Sequence, residues 1–248
     1  VKEFMTNYDR YIFKSPQGDA GHITGDMVKA AFLKGGKSVA GMDSWEPEEL
    51  GLFSDLACKW TATLYQLIED GAEWPQGTQH AKAAFLEKEG AKPGEVMSYR
   101  VLLIMSALNR KWGSMRLRSL DHWIHQWELP EMYAGAGKQG AEDAWYQTMI
   151  DLELLQLEGT AYCGGTADIM KCVDQILRPL VYELLRVAGM PATILDTYQR
   201  FQEGLKVYNS LAGSIGHPYV RSCSIPQGCP LSMMIVAIMM RPWISMMK

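Results

Sequence analysis

The sequence predicts a mixed fold of the α+β class, in which helices are combined with short β-hairpins. Apolar residues recur at helical spacing over long stretches, and shorter stretches bounded by glycine and proline have the character of strands joined by turns. Strands and helices do not alternate regularly, which argues against a parallel α/β sheet. With 248 residues, the chain is long enough for one large domain or two coupled subdomains.

The first long element is a predicted helix over residues 44–71. Ser44 belongs to the residue types that cap helices, Pro47 suits a first helical turn, and Gly71 suits the end of a helix. The apolar residues that repeat at helical spacing, and therefore form the predicted buried face, are Leu50, Phe53, Leu56, Trp60, Leu64 and Leu67.

The next elements are a hairpin and a helix. Residues 83–88 and 96–104 are predicted as extended segments on either side of a polar turn at 89–95, which contains glycine and proline. A helix is predicted over 107–127, and Pro130 ends it.

The second half of the chain predicts further helices and strands. A loop of small residues at 133–145 leads into a helix that ends at Leu157. Residues 162–169 are predicted as a strand, and Pro179 opens a helix that ends at Gly189.

The last part of the chain predicts a helix over 191–204 and then two extended segments, 206–211 and 219–224. A turn rich in glycine and proline separates these two segments, which predicts a hairpin. An apolar helix is predicted from Leu231 onward.

The overall composition is that of a globular protein. The apolar fraction is 48% and the charged fraction 21%, which excludes global disorder. The N-terminal residues carry charges where a secretory leader needs an apolar run, and the longest apolar stretch, 233–240, is far shorter than the roughly 20 residues of a membrane span. We therefore predict an intracellular protein without a membrane partner.

The five cysteines are dispersed without the spacing of a metal site or a disulfide framework, which predicts buried thiols in a reducing compartment. His122 and His125 stand three residues apart, but no neighbouring carboxylate or cysteine completes a zinc site.

The net charge of −4 hides a local basic region. Residues 76–118 contain eight lysines and arginines against three glutamates. Such a region is compatible with phosphate binding, although charge by itself does not specify a ligand.

Three features have residue types that suit phosphate chemistry, and each has a plain structural alternative. Asp168 at the end of a predicted strand is either a ligand for a hard cation such as Mg²⁺ or a turn residue. Gln227 lies in a proline- and glycine-rich segment that is either a tight turn or a surface that contacts a sugar or base edge. Lys88 and Arg100 flank the hairpin, where they either hold a triphosphate or form a solvated surface pair.

Six segments resemble a known family when they are taken in order. The segments are AGMDSWEPEEL at 40–50, AAFLEKEG at 83–90, SYRVLLIMSALNRKWGSMRLRSL at 98–120, YAGAGKQGAEDA at 133–144, ADIMKCVDQI at 167–176 and SIPQGCPLS at 224–232. Over nearly the whole chain their succession resembles reverse transcriptases of the non-LTR retrotransposon and group II intron type. The Pro-Gln-Gly triplet, behind an aspartate that resembles the first palm motif, is the most specific element.

This resemblance implies a right-hand polymerase fold, with the fingers subdomain and an N-terminal extension at 1–157 and a partial palm at 158–248. It also implies site residues. Asp168 and the carbonyl of Ile169 would bind the catalytic Mg²⁺ ions, and Lys88 and Arg100 would hold the incoming triphosphate.

Further implied contacts involve the nucleotide and the template–primer. Gln227 would lie against the sugar of the incoming nucleotide, and Gly228 would allow the backbone to approach the template–primer, with Arg110 and Arg116 as additional contacts. The implied reaction is attack of a DNA primer 3′-hydroxyl on a dNTP, directed by an RNA template.

The sequence departs from the family pattern in several places. The Tyr-x-Asp-Asp motif and the thumb that follow the second palm motif in this family do not occur before Lys248, so we expect the isolated chain to be inactive. Val173 stands where the family has a bulky aromatic residue that rejects ribonucleotides, which implies weak sugar discrimination unless Val173 is simply a core residue or a neutral change. Val101 and Leu102 replace the Pro-Ile that usually follows the arginine at position 100.

Two other functions remain open at this point. A non-catalytic scaffold related to reverse transcriptases would bind RNA or protein, and a viral RNA-directed RNA polymerase would share the palm, although Pro-Gln-Gly disfavours it. A retrotransposon product would act in the nucleus and an intron maturase in an organelle. The sequence does not indicate the oligomeric state.

Overall fold

The computed structural model describes residues 1–34, 38–90, 92, 94–136, 139–211 and 213–248. In this part of the chain the predicted mixed α+β class is confirmed. The helices are α1 (Lys2–Asn7), α2 (Gly25–Leu33), α3 (Pro47–Leu50), α4 (Asp55–Glu69), α5 (Ala107–Ser119), α6 (Asp121–Trp127), α7 (Ala141–Leu157), α8 (Cys172–Gln175), α9 (Arg178–Val187), α10 (Ala192–Gly204) and α11 (Ser232–Met247). The strands are β1 (His80–Glu87), β2 (Tyr99–Ile104), β3 (Lys206–Leu211), β4 (Ser214–Ile215) and β5 (Tyr219–Val220).

The strands form a small mixed sheet in the order β2, β1, β3, with β4 and β5 both paired to β3. Strands β1 and β2 form the predicted antiparallel hairpin, with Lys82 opposite Ile104 and Glu87 opposite Tyr99. Strand β1 also pairs in parallel with β3, which lies more than a hundred residues further along the chain. This parallel pairing joins the two predicted subdomains.

The core lies on one face of the sheet and continues between the helices. The sheet contributes small and branched buried residues, which are Ala81, Ala83, Leu103 and Val207. Trp74 lies at the centre, with its ring 5.5 Å from that of Trp112 and 5.3 Å from that of Phe201. Its indole N–H donates to the carbonyl of Thr197 at 3.2 Å. The core therefore connects α5 to α10.

The predicted helix over 44–71 is divided in the structure. Helix α3 ends at Leu50, and α4 begins after Ser54, whose hydroxyl accepts the N–H of Ala57 at 3.2 Å. Ser54 is therefore the cap of the long helix, and the prediction of Ser44 for that role was wrong. Ser44 lies outside the helix with φ of 62°.

The predicted buried face of this helix was wrong in part. Leu50 is buried, and Phe53 and Leu64 pack against the core, as predicted. The residues of α4 that are buried include Cys58, Ala62, Tyr65 and Ile68, which follow one another at helical spacing. Leu56, Trp60 and Leu67 are instead exposed. Because α4 carries apolar residues on two sides, its periodicity is compatible with either orientation. Contacts with α2 and α10, and hydrogen bonds to α5, decide between them.

The predicted strand over 162–169 does not form. Residues 160–169 have no regular secondary structure and are exposed. A strand is stable only when its backbone groups pair with a neighbour, and no described strand pairs with this segment. Gly164 and Gly165 weaken the strand preference further.

The remaining elements match their predictions more closely. The helix over 107–127 is divided at Leu120 into α5 and α6, and α9, α10 and α11 form as predicted. The predicted hairpin of 206–211 with 219–224 is present as β3 and the shorter strand β5, with β4 between them in sequence. Helix α2 was not predicted. Among the described residues, no helix combines the length and the apolar character that crossing a bilayer requires.

Candidate nucleotide and nucleic-acid site

Two segments that the sequence analysis singled out lie against each other in the structure. The backbone N–H of Ile225 donates to the carbonyl of Val173 at 3.0 Å, and the N–H of Ser224 donates to the carbonyl of Ile176 at 2.7 Å. Ser224 adopts a left-handed backbone conformation with φ of 76°, which is uncommon for a residue with a side chain. The segment around α8 and the segment before α11 are therefore held together by backbone hydrogen bonds.

The Pro-Gln-Gly turn also lies on the outer edge of β2. The N–H of Leu103 donates to the carbonyl of Gln227 at 3.1 Å. Gly228 has φ of 110°, and a Cβ at this position would lie 3.1 Å from the carbonyl oxygen of Leu103. The positive φ and the close carbonyl both favour glycine at this position within the protein itself, and its approach to a template–primer stays a prediction.

A cavity of about 390 Å³ lies between this turn, β2, β5 and α8. Gln227 and Asp174 line it, together with the guanidinium-bearing residue Arg221. Burial lowers the pKa of Arg221, and the positive charge of Arg178 lowers it further. Arg221 donates a hydrogen bond to the hydroxyl of Ser224, which supports the strained turn from inside.

The opposite face of the sheet carries a cluster of positive charge, which we call the open sheet face. Residues that pair across strands share a face, so Lys82 lies on the same side as its partners Ile104 and Tyr208. The same alternation gives the full cationic set of this face, which is Lys82, Lys88, Arg100 and Lys206. Within the described part of the chain, none of these four side chains has an ion pair or hydrogen bond.

An aromatic pair lies on the same face. The rings of His80 and Tyr208 are 5.5 Å apart and belong to the neighbouring strands β1 and β3. Glu87, the acidic residue of β1, pairs with Tyr99 and therefore points to the other side of the sheet. The open sheet face thus combines basic and aromatic side chains without an acidic residue on the paired positions, as a surface for single-stranded nucleic acid does.

The predicted nucleotide-binding residues form two groups in the structure, one on each side of β2. Lys88 and Arg100 share the open sheet face, where the backbone N–H of Lys88 donates to Ser98 at 2.9 Å. Gln227 adjoins the segment of Val173 on the cavity side of β2. Because neighbouring residues of a strand point to opposite faces, Arg100 and the cavity-lining Val101 lie on different sides of β2.

Asp168 lies in the exposed segment before α8, and Ile169 beside it is also exposed. Burial raises the pKa of the nearby Cys172 thiol, and the negative charge of Asp168 raises it further. Lys171 adopts the left-handed conformation, and its ammonium group donates to the carbonyl of Tyr99, which connects this segment to β2.

The residues present do not form a Mg²⁺ site by themselves. Among the described residues, no three histidine, cysteine, aspartate or glutamate side chains are grouped closely enough to hold a metal ion. Mg²⁺ prefers several oxygen ligands in near-octahedral geometry, so Asp168 with the carbonyl of Ile169 provides only part of such a site.

Arg116 is inaccessible to a template–primer, which corrects the contact that the resemblance to reverse transcriptases implies. Its side chain is 0% exposed and pairs with the carboxylate of Glu69. The guanidinium also donates to the carbonyl of Ala20 at 2.8 Å and of Gly21 at 3.1 Å. Arg116 therefore connects α5, α4 and the N-terminal segment inside the core.

Arg110 and Lys111 also make contacts within the protein. Arg110 donates to the hydroxyl of Ser38 and to the carbonyl of Val39, both at 2.8 Å, and burial lowers its pKa. The ammonium group of Lys111 donates to carbonyls at the end of α2, which include that of Ala31 at 3.1 Å. These residues of the basic segment stabilise the fold. Lys82, Lys88 and Arg100 lie on the open sheet face, and Lys92 and Arg118 are exposed elsewhere.

Val173 is half-buried and packs against the core. This placement agrees with the core-residue alternative, and its effect on the choice of sugar stays a prediction.

The prediction of buried cysteines is confirmed only in part. Cys58 and Cys229 are buried as predicted, whereas Cys163 is exposed.

Comparison with protein-family models and with curated protein sequences gave no match for this chain.

The site residues that sequence analysis missed are His80, Lys206 and Tyr208 of the open sheet face. Their signal was the alternation in β3, where Lys206 and Tyr208 flank the buried Val207. The parallel pairing of β1 with β3 was needed to place them beside Lys82.

Proposed function

We propose that this chain is part of an RNA-directed DNA polymerase of the reverse transcriptase type. In this proposal, the cations of the open sheet face bind the phosphates of the nucleic acid and of the incoming triphosphate. The Pro-Gln-Gly turn, which lies at the edge of β2 and lines the cavity on its other side, contacts the sugar of the nucleotide. The partners would be an RNA template, a DNA primer and a dNTP. Mg²⁺ would be the cofactor, with Asp168 and the carbonyl of Ile169 as the ligands that this chain contributes.

The observation that carries the proposal is the contact between the segment that follows Asp168 and the Pro-Gln-Gly turn. These segments lie about fifty residues apart in sequence, yet Ile225 donates to Val173 at 3.0 Å. Their resemblance to two palm motifs was inferred from sequence, and adjacency is what a shared nucleotide site requires. The hairpin of β1 and β2 borders the same turn through Leu103.

The charge distribution supports the same function. A protein of net charge −4 is repelled by nucleic acid unless positive charge is concentrated on one surface. The open sheet face concentrates four cations, and the His80–Tyr208 pair adds rings on which bases can stack.

The test is the salt dependence of binding to an RNA–DNA hybrid. Replacing Lys88 and Arg100 by alanine removes two phosphate contacts, so the slope of log affinity against log salt should become shallower by about two units. The matched control replaces Lys2 and Lys59, which are exposed lysines outside the sheet. Control and wild type should have the same slope.

Two outcomes would argue against the proposal. Equal slopes for the sheet variant and the lysine control would mean that the open sheet face makes no specific phosphate contacts. If the wild-type chain did not bind the hybrid even at low salt, a nucleic-acid-binding function would be excluded.

A further inference from the structure

Helix α7 has an apolar surface that nothing in the described structure covers. None of its 17 residues is buried, although Trp145, Tyr146 and Leu154 lie along it. Trp145 is 67% exposed and Leu157 is 84% exposed. Helices in water obtain most of their stability from packing of an apolar face, so an uncovered helix of this composition indicates a partner.

The charge of this region restricts the chemistry of the partner. Residues 139–170 contain no lysine, arginine or histidine, and the acidic residues are Glu142, Asp143, Asp151, Glu153, Glu158 and Asp168. On α7, Glu142, Tyr146, Met149 and Glu153 follow at intervals of four, three and four and therefore form one stripe. A partner must offer positive charge interleaved with apolar surface.

The open sheet face of this same chain has those properties. Its cations Lys82, Lys88, Arg100 and Lys206 surround apolar side chains, of which Leu86 is half exposed. Helices commonly cover the open face of a sheet in α+β proteins. Helix α7 is about 25 Å long and β1 about 27 Å, so the two surfaces match in length.

We propose that α7 of one copy docks on the open sheet face of a second copy of this chain. The contact joins two different surfaces, with Glu142 and Glu153 facing the cations Lys82 and Arg100 of the other copy. It also covers the surface to which we assign nucleic acid, so association and nucleic-acid binding exclude each other. The inference goes beyond the proposed function and does not depend on it, because association is measured without nucleic acid.

The experiment is sedimentation velocity of the whole chain over a concentration series at low salt. We expect the sedimentation coefficient to rise with concentration, and high salt to weaken the association. Glu142→Lys with Glu153→Lys should weaken association by about tenfold or more, and Lys82→Glu with Arg100→Glu should do the same, because each places like charges opposite one another.

A mixture of the two reversed variants distinguishes this contact from others. Each variant should associate poorly alone, and the mixture should regain association because the charges are again complementary. The control reverses Glu3 and Glu73, which are exposed elsewhere, and should associate like the wild type. Circular dichroism of every variant checks that it is folded.

Several outcomes would overturn the proposal. These are a sedimentation coefficient independent of concentration, association that both charge reversals leave unchanged, and a mixture of reversed variants that stays monomeric. A chain that associates at high concentration yet fails to bind an RNA–DNA hybrid at concentrations where it is monomeric would refute the proposed function and leave this inference standing.

Discussion

At the scale of single residues, Arg116 illustrates how burial changes the meaning of a charge. The sequence places it in a basic segment, but the structure pairs it with Glu69, whose carboxylate also accepts the indole N–H of Trp112 at 2.8 Å. A charge inside the core is tolerated only when its partners satisfy it, and the carbonyls of Ala20 and Gly21 complete that set. The positive charge of Arg116 therefore stabilises the folded core.

We predict that Glu69→Gln lowers the free energy of unfolding by about 3–5 kcal/mol, because it leaves the buried Arg116 charge uncompensated. Chemical denaturation measures this change. The control is Asp55→Asn, which removes an exposed ion pair with Lys29 and should have little effect. Equal destabilisation by both substitutions would show that the buried pair has no special role.

At the scale of elements, local signals predicted the β1–β2 hairpin and the helices α9 and α10. Glycine, proline and alternation act over a few residues, so these elements need no distant partner to be recognised. The predicted strand over 162–169 failed because a strand depends on a neighbour. Helix α4 was found, but periodicity did not reveal which of its apolar sides is buried.

The orientation of α4 can be tested with two adjacent residues. Ile68 is 1% exposed, whereas Leu67 is 53% exposed. We predict that Ile68→Ala destabilises the protein by about 2–5 kcal/mol and that Leu67→Ala changes its stability by less than about 0.5 kcal/mol. Chemical denaturation of the two variants measures both values. A larger destabilisation by Leu67→Ala than by Ile68→Ala would instead support the orientation of α4 predicted from the sequence.

At the scale of the whole molecule, long-range contacts join the two predicted subdomains. Strand β1 pairs with β3 from His80 opposite Lys206 onward, and Trp74 packs against Phe201. A shared sheet and a shared core couple the stability of both parts.

We therefore predict that the chain unfolds in one cooperative transition. Circular dichroism and tryptophan fluorescence, recorded over the same denaturant series, should give coincident midpoints and widths. Trp74→Ala should lower the midpoint in both measurements equally, because the ring contacts residues from both parts. Two separated transitions would instead indicate that residues 1–157 and 158–248 fold independently.

The candidate site was predictable only in part. The Pro-Gln-Gly turn and the lysine–arginine pair of the hairpin follow from residue types and from the resemblance to reverse transcriptases. The contributions of Lys206 and Tyr208 depend on the parallel pairing with β1, which no local signal indicates. The internal role of Arg116 depends on Glu69, which lies 47 residues away.

The sequence by itself determined the mixed α+β class, the hairpin, most of the helices and the order of the motif-like segments, because turns, caps and periodicity are properties of neighbouring residues. Only the tertiary structure decided which side of α4 is buried, which cations remain on the surface, and that Val173 and Ile225 lie in contact. Each of those outcomes depends on groups that distant parts of the chain supply. Burial and pairing, rather than residue type, determine whether a charged side chain stabilises the core or can bind a ligand.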